Sequence, residues 1–202
     1  MPEADVDISF GDSLEALKDL DAGLITSVFV YNNRFRMMAD VNWLRLSPQQ
    51  HIVFGGNAAT ISMDSETLTL MGLVGYRIVE GDYVNVDVYA GAKYWFMQNS
   101  VKVEPALVTP NSISKENTWV DGVIGAHFTA DITDRAYISL IGFAGTGGSK
   151  FYGDAYGGIG YRFNDRYDAF AGYRAMQVNH EDGDFSYDVL QHGPLLGMGV
   201  KF

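Results

Sequence analysis

No cysteine occurs in the 202-residue chain, so disulfide frameworks and thiolate metal sites are excluded. Nor does any apolar run approach the roughly 20 residues that a membrane-spanning helix needs, which rules out a helical membrane protein. Positive charge is scarce: 14 Lys and Arg stand against 25 Asp and Glu, a formal net charge of -11. Nucleic acid is therefore excluded as a partner, because phosphate neutralisation needs clustered cations. Only 5 Pro are present, whereas Gly, Tyr and Phe number 23, 12 and 12, and apolar residues alternate with polar ones instead of clustering. That pattern is all-β.

The alternation is clearest over Val84–Phe96. Val84, Val86, Val88, Ala90, Ala92, Tyr94 and Phe96 share one face; Asn85, Asp87, Tyr89, Gly91, Lys93 and Trp95 share the other. Residues 151–163 repeat it, with Phe151, Ala155, Ile159, Tyr161 and Phe163 set against Tyr152, Asp154, Tyr156, Gly158, Gly160 and Arg162. Seven further strands are predicted at residues 22–31, 34–46, 66–78, 119–131, 136–145, 167–178 and 184–202. The strand at 136–145 is the least regular, since Ile141 and Phe143 fall on the charged face.

Connections alternate in length. Short turns are expected at Asn32-Asn33, Glu80-Gly81-Asp82, Asp131–Arg135 and Asn164-Asp165-Arg166, and longer polar links at residues 47–65, 98–118, 146–150 and 179–183. Outer-membrane barrels alternate short periplasmic turns with longer external loops in this way. Tyr31, Phe35, Tyr76, Tyr83, Phe128, Tyr137, Phe163 and Tyr167 gather near the short turns, where an aromatic girdle is expected. The chain stops at Phe202, which shares a face with Leu196, Met198 and Val200 and is read as an insertion signal for the barrel-insertion machinery. Met1-Pro2-Glu3 has neither a basic n-region nor an apolar h-region, so the expectation is an export signal already removed.

Residues 4–10 (ADVDISF), 73–78 (LVGYRI), 87–95 (DVYAGAKYW), 119–126 (WVDGVIGA), 158–166 (GIGYRFNDR), 171–174 (AGYR) and 187–202 together resemble a poorly characterised family of Gram-negative outer-membrane β-barrel proteins. The resemblance implies an antiparallel up-and-down transmembrane β-barrel of about 8–10 strands in the bacterial outer membrane. It also implies one further strand, rich in Trp, Tyr and Ala, before the region matching residues 4–10, and this sequence lacks it. Either a strand has been lost, or residues 4–10 complete the count. The whole of 1–202 is expected to be one barrel domain, with 1–21 an N-terminal strand or loop and a short helix over Asp12–Leu20.

A barrel this narrow places Arg36, Asp40, Asn42, Arg77, Asp87, Lys93, Asp121, His127, Asp154, Arg162, Asp168 and Arg174 on its interior face, as a packed polar network or the lining of a thin water path. Catalysis needs a His with a carboxylate and a hydroxyl near the rim. His180 with Glu181, Asp182 or Asp184 has the right residue types, but no nucleophile motif accompanies it, and Asn-His-Glu-Asp-Gly-Asp reads first as a solvated turn. The same acidic turn has too few oxygens in the wrong spacing for an EF-hand, and Gly145, Gly147 and Gly148 lack the Lys-Ser/Thr of a phosphate loop. No metal or cofactor is expected. The leading expectation is a non-enzymatic barrel with a structural or small-solute pore role, its partners being outer-membrane lipid and the insertion machinery. An outer-membrane lipid-modifying hydrolase and a soluble lipocalin-like binding barrel are the alternatives.

Overall fold

Every segment with period-two alternation is a β-strand in the computed structural model, which describes residues 6–8, 20–47, 49–54, 57–104, 112–183 and 185–201. The strands are β1 (Val6–Ile8), β2 (Leu20–Asn32), β3 (Phe35–Leu46), β4 (Gln49–Phe54), β5 (Asn57–Glu80), β6 (Val84–Glu104), β7 (Ser112–Asp131), β8 (Ala136–Gly147), β9 (Ser149–Arg162), β10 (Tyr167–Asp182) and β11 (Phe185–Val200). Nine of them, β1 and β4 aside, form one antiparallel up-and-down sheet in the order β11-β10-β9-β8-β7-β6-β5-β3-β2. β4 is a short hairpin partner of β5, and β1 lies parallel to β11 over Val189–Gln191.

Local chemistry fixes the turns at one end. Asn33 adopts φ 54°, a left-handed conformation that Asn tolerates, and joins β2 to β3. Asn164 Oδ1 accepts from the backbone N–H of Arg166 and of Tyr167, each at 2.9 Å, and Thr133 Oγ1 accepts from Ala136 N–H at 2.9 Å. Side-chain oxygens thus replace the backbone partners that a tight reversal leaves unmade.

A single sheet has no second layer to cover it, so burial of one face means that it has curled until its own strands face one another. Lys93 Nζ on β6 lies 3.1 Å from Tyr152 Oη on β9 and 4.0 Å from Met176 Sδ on β10. The rings of Phe29 on β2 and His127 on β7 are 6.3 Å apart, and those of Trp119 on β7 and Tyr187 on β11 6.1 Å. Glycines make room for this filling, because several aromatic rings on the concave side lie flat over a glycine of the next strand. A Cβ on Gly75 would sit 2.6 Å from the Tyr89 ring.

The faces divide as expected over β6, where Asp87, Tyr89, Lys93 and Trp95 are buried while Val88, Ala90, Ala92 and Tyr94 are exposed. Ile141 and Phe143 do lie on the concave side, where they join the apolar packing. The curl does not close among the described residues: β2 pairs only with β3, and β11 only with β10 and the three residues of β1. Nine alternating strands leave β2 and β11 running the same way, so direct pairing between them would be parallel. Leu196 and Met198, 79% and 73% exposed, stand on this open side.

Several expectations need correction. The long links at 47–65 and 98–118 are largely strand, because the β5–β6 and β6–β7 ladders continue to Thr60↔Glu104 and Lys102↔Ser112. Residues 179–182 belong to β10, and the reversal is left to Gly183 at φ 57°. Tyr31 and Tyr137 leave the proposed girdle for the concave side: Tyr31 pairs with Arg36, and Tyr137 shares the parity of buried Ser139. Residues Ala4, Asp5, Ser9 and Phe10, most of the proposed helix at 12–20, Asp184 and Phe202 lie outside the described residues.

Candidate functional site

The concave face carries the chemistry, in three tiers. Nearest the short turns, Asp87 takes a bidentate grip from Arg77, Nε to Oδ1 at 2.7 Å and NH2 to Oδ2 at 3.0 Å. Arg36, buried to 3% exposure, brings Nε to 3.2 Å from the same Oδ1 and turns its NH1 to the carbonyls of Asn33 and Phe35 at 2.6 and 2.9 Å. His127 stands directly opposite Asp87 on β7, and its Nε2 is 2.9 Å from Ser139 Oγ. Beside this group Tyr137 donates to Asp168, and Arg162 pairs with Asp131 at 2.7 Å beneath the Tyr137 ring.

The middle tier holds two groups. Asp40 accepts from Ser27 Oγ at 2.6 Å and from Asn42 Nδ2. Elsewhere on the concave face Arg174 forms a bidentate pair with Asp154 at 2.9 and 2.6 Å, and Tyr152 donates to the same carboxylate at 3.1 Å. Lys93 ends between the rings of Trp95 and Tyr152, its ammonium 4.3 and 4.4 Å from their centroids. The ring faces are electron-rich, so they help to hold a cation whose hydrogen-bond partners among the described residues are a phenol oxygen and a thioether.

The third tier is aromatic. Asp121, fully buried, accepts from Trp95 Nε1 at 2.9 Å, Ser149 Oγ at 2.8 Å and Ser149 N–H at 2.6 Å. Trp119 donates to Ser149 Oγ at 2.8 Å and stacks between Trp95 and His180, 5.4 and 4.0 Å between centroids. His180 Nδ1 meets Gly148 O at 2.8 Å.

All ten proposed interior residues, Arg36, Asp40, Asp87, Lys93, Asp121, His127, Asp154, Arg162, Asp168 and Arg174, stand on this face, together with Asn42 and Arg77. They form separate groups instead of one chain of ion pairs, and Asp121, Asp40 and Asp168 are held by hydroxyl, amide and indole donors. The sequence reading missed Trp119, Ser149, His180 and Tyr152 as participants. Trp119 has a usable signal, since it shares the parity of Asp121; Ser149 has none, because a register shift opposite Asn179 and His180 breaks the alternation of β9 next to it. His180 continues the parity of Asp168 and Arg174, but its acidic neighbours read as a turn and hid it.

His127 reaches a hydroxyl, yet Asp87 beside it is committed to two guanidiniums, and no carboxylate bonds to His127 or His180 among the described residues. His192 shares a hydrogen bond with Tyr173 on the convex side. Among the described residues no three His, Asp or Glu side chains gather as a metal site.

The convex face is the inverse. From Phe35 to Trp43 on β3 the outward residues are Phe35, Met37, Ala39, Val41 and Trp43, and their partners on β5 are Tyr76, Val74, Gly72, Leu70 and Leu68. The band continues through Val88–Tyr94, Val120–Ala126, Leu140, Ile159 and Tyr161 to Leu196 and Met198 with no outward charge. Charge returns at its borders, in the Arg34–Glu80 pair at one edge and in Glu66, which accepts from Trp43 Nε1 at 2.8 Å, at the other. Comparison with protein-family models, with curated proteins and with solved structures finds no match, so the functional reading rests on this geometry alone.

Proposed function

We propose that this chain is a β-barrel protein of the bacterial outer membrane whose role is structural, its bore filled by side chains instead of open to solutes. The observation that carries the reading is the inversion of the two faces: an uncharged, aromatic-edged belt outside and the charges inside. Nine strand residues from Phe35 to Trp43 extend about 30 Å, which on a strand tilted by roughly 40° rises about 23 Å, close to the apolar band of such barrels. A lipid-facing charge at mid-depth costs about 2–4 kcal/mol, whereas an inward one finds partners, so selection in a bilayer produces this division. A soluble carrier barrel needs the opposite one, with its apolar face turned to the ligand. The filled bore supports the structural role over conduction, because Lys93, Trp95, Trp119 and Tyr152 occupy the span between β6 and β10 and are at most 6% exposed.

Trp43 faces outward and the other two tryptophans inward, so lipid contact can be read by fluorescence. In vesicles of chain-brominated lipid the refolded protein should be quenched through Trp43, and Trp43→Phe should remove most of the quenching. Emission that is equally insensitive to bromine in both proteins would overturn the membrane reading. Regular conductance steps in a planar bilayer would overturn the filled bore.

A further inference from the structure

We infer that the lower corner of the concave face, between Arg36 on β3 and Tyr89 on β6, is a binding site for a small monocarboxylate. Two guanidiniums, those of Arg36 and Arg77, meet there, and Asp87 is the carboxylate in ion-pair contact with both among the described residues, so the contacting groups sum to one net positive charge. Arg77 takes one lone pair on each oxygen of Asp87, and Arg36 Nε, held to Oδ1 as an ion pair at 3.2 Å, makes no hydrogen bond among the described residues. The Tyr89 hydroxyl is likewise buried without a partner, on a side chain only 4% exposed. His127 Nδ1, on the residue facing Asp87, is a third such atom.

The chain brings the first two together through Gly75. That residue is register partner to Arg36 on one side and to Tyr89 on the other, and with no side chain it lets the phenol lie across β5 towards β3. A buried donor without an acceptor is costly, and two such donors, Arg36 Nε and Tyr89 Oη, beside one excess charge are what an absent acceptor leaves behind; His127 Nδ1 joins them as a donor in one of its tautomers. The charge calls for a monoanion. A guanidinium N–H and a phenol O–H, two donors from two strands, match the two oxygens of a carboxylate better than one spherical ion.

The test is calorimetric titration of sodium formate into the refolded full-length chain in a non-ionic detergent, with a zwitterionic buffer and no other small anion. Saturable binding in the millimolar range is expected, weakened at least tenfold by Tyr89→Phe. Because the hydroxyl of Tyr89 has no partner among the described residues, that variant should fold as well as the parent. Tyr156→Phe removes another buried, unpartnered hydroxyl, on β9, and should leave formate affinity unchanged. Absence of saturable heat, equal affinity in Tyr89→Phe, equal loss in Tyr156→Phe, or chloride binding as tightly as formate would each overturn the assignment.

Discussion

The indole of Trp95 donates a 2.9 Å hydrogen bond to Asp121 Oδ2, and the ring is 1% exposed while the carboxylate is sealed from solvent. All three groups that meet Asp121 are donors, so only an acceptor-only side chain satisfies them. Asp121→Asn keeps the shape but turns an NH2 towards an N–H or O–H. It should lower stability by about 2–3 kcal/mol, the cost of lost charge-assisted bonds plus a stranded donor, read as an earlier urea midpoint in detergent.

Asp87 and Arg174 make comparable bidentate contacts, yet their removal should differ. Asp87→Leu strands two guanidiniums and should cost about 3–5 kcal/mol. Arg174→Leu strands only Asp154, which keeps the Tyr152 hydroxyl, and the smaller loss should fall near the lower end of that range. Unfolding curves for the two variants check the order; identical midpoints to the parent would mean that both positions are solvated.

Ile124 stands in the middle of the outer band at 67% exposure, where a soluble protein tolerates almost any polar residue. In a bilayer Ile124→Arg should cost about 2–4 kcal/mol. The comparison is the unfolding free energy of parent and variant in vesicles. A difference below about 0.5 kcal/mol, the usual effect of a surface change in water, would contradict the membrane placement.

Amide hydrogen exchange reports on the seam. Amides on the side of β2 away from β3, and those of residues 192–200 on the side of β11 away from β10, should exchange much faster than the doubly paired amides of β6 and β7. Uniform protection across all nine strands would mean that another strand, or direct pairing, closes the barrel.

Strand positions were legible because the side-chain period of two is enforced by a face that meets either apolar surroundings or a polar interior. Val84–Phe96 obeys it without exception, and even Ile141 and Phe143, which break the polar rule, keep the geometric one. The rims were not legible. Polar residues such as Gln98–Ser100 and Lys115–Asn117 read as loop because polarity marks exposure to water, whereas the ladder continues on backbone hydrogen bonds that do not depend on side-chain type. The grouping of the interior residues was equally hidden. Parity assigns a face, but partnership across the concave side, as between Lys93 on β6 and Tyr152 on β9, depends on curvature, which local sequence does not encode.

The ladder of β5, β6 and β7 does not stop at the outer band, and β4 joins it there. From Leu68 to Thr60 the paired strands run on for eight residues, about 27 Å of extended chain. On the opposite flank β8 and β9 reverse at Gly148, next to Trp119. The molecule therefore has a tall wall on one quadrant and a low sill on the other. Backbone pairing alone carries the rim well past the apolar band on the β5–β7 side of the concave face and ends it early on the β8–β9 side.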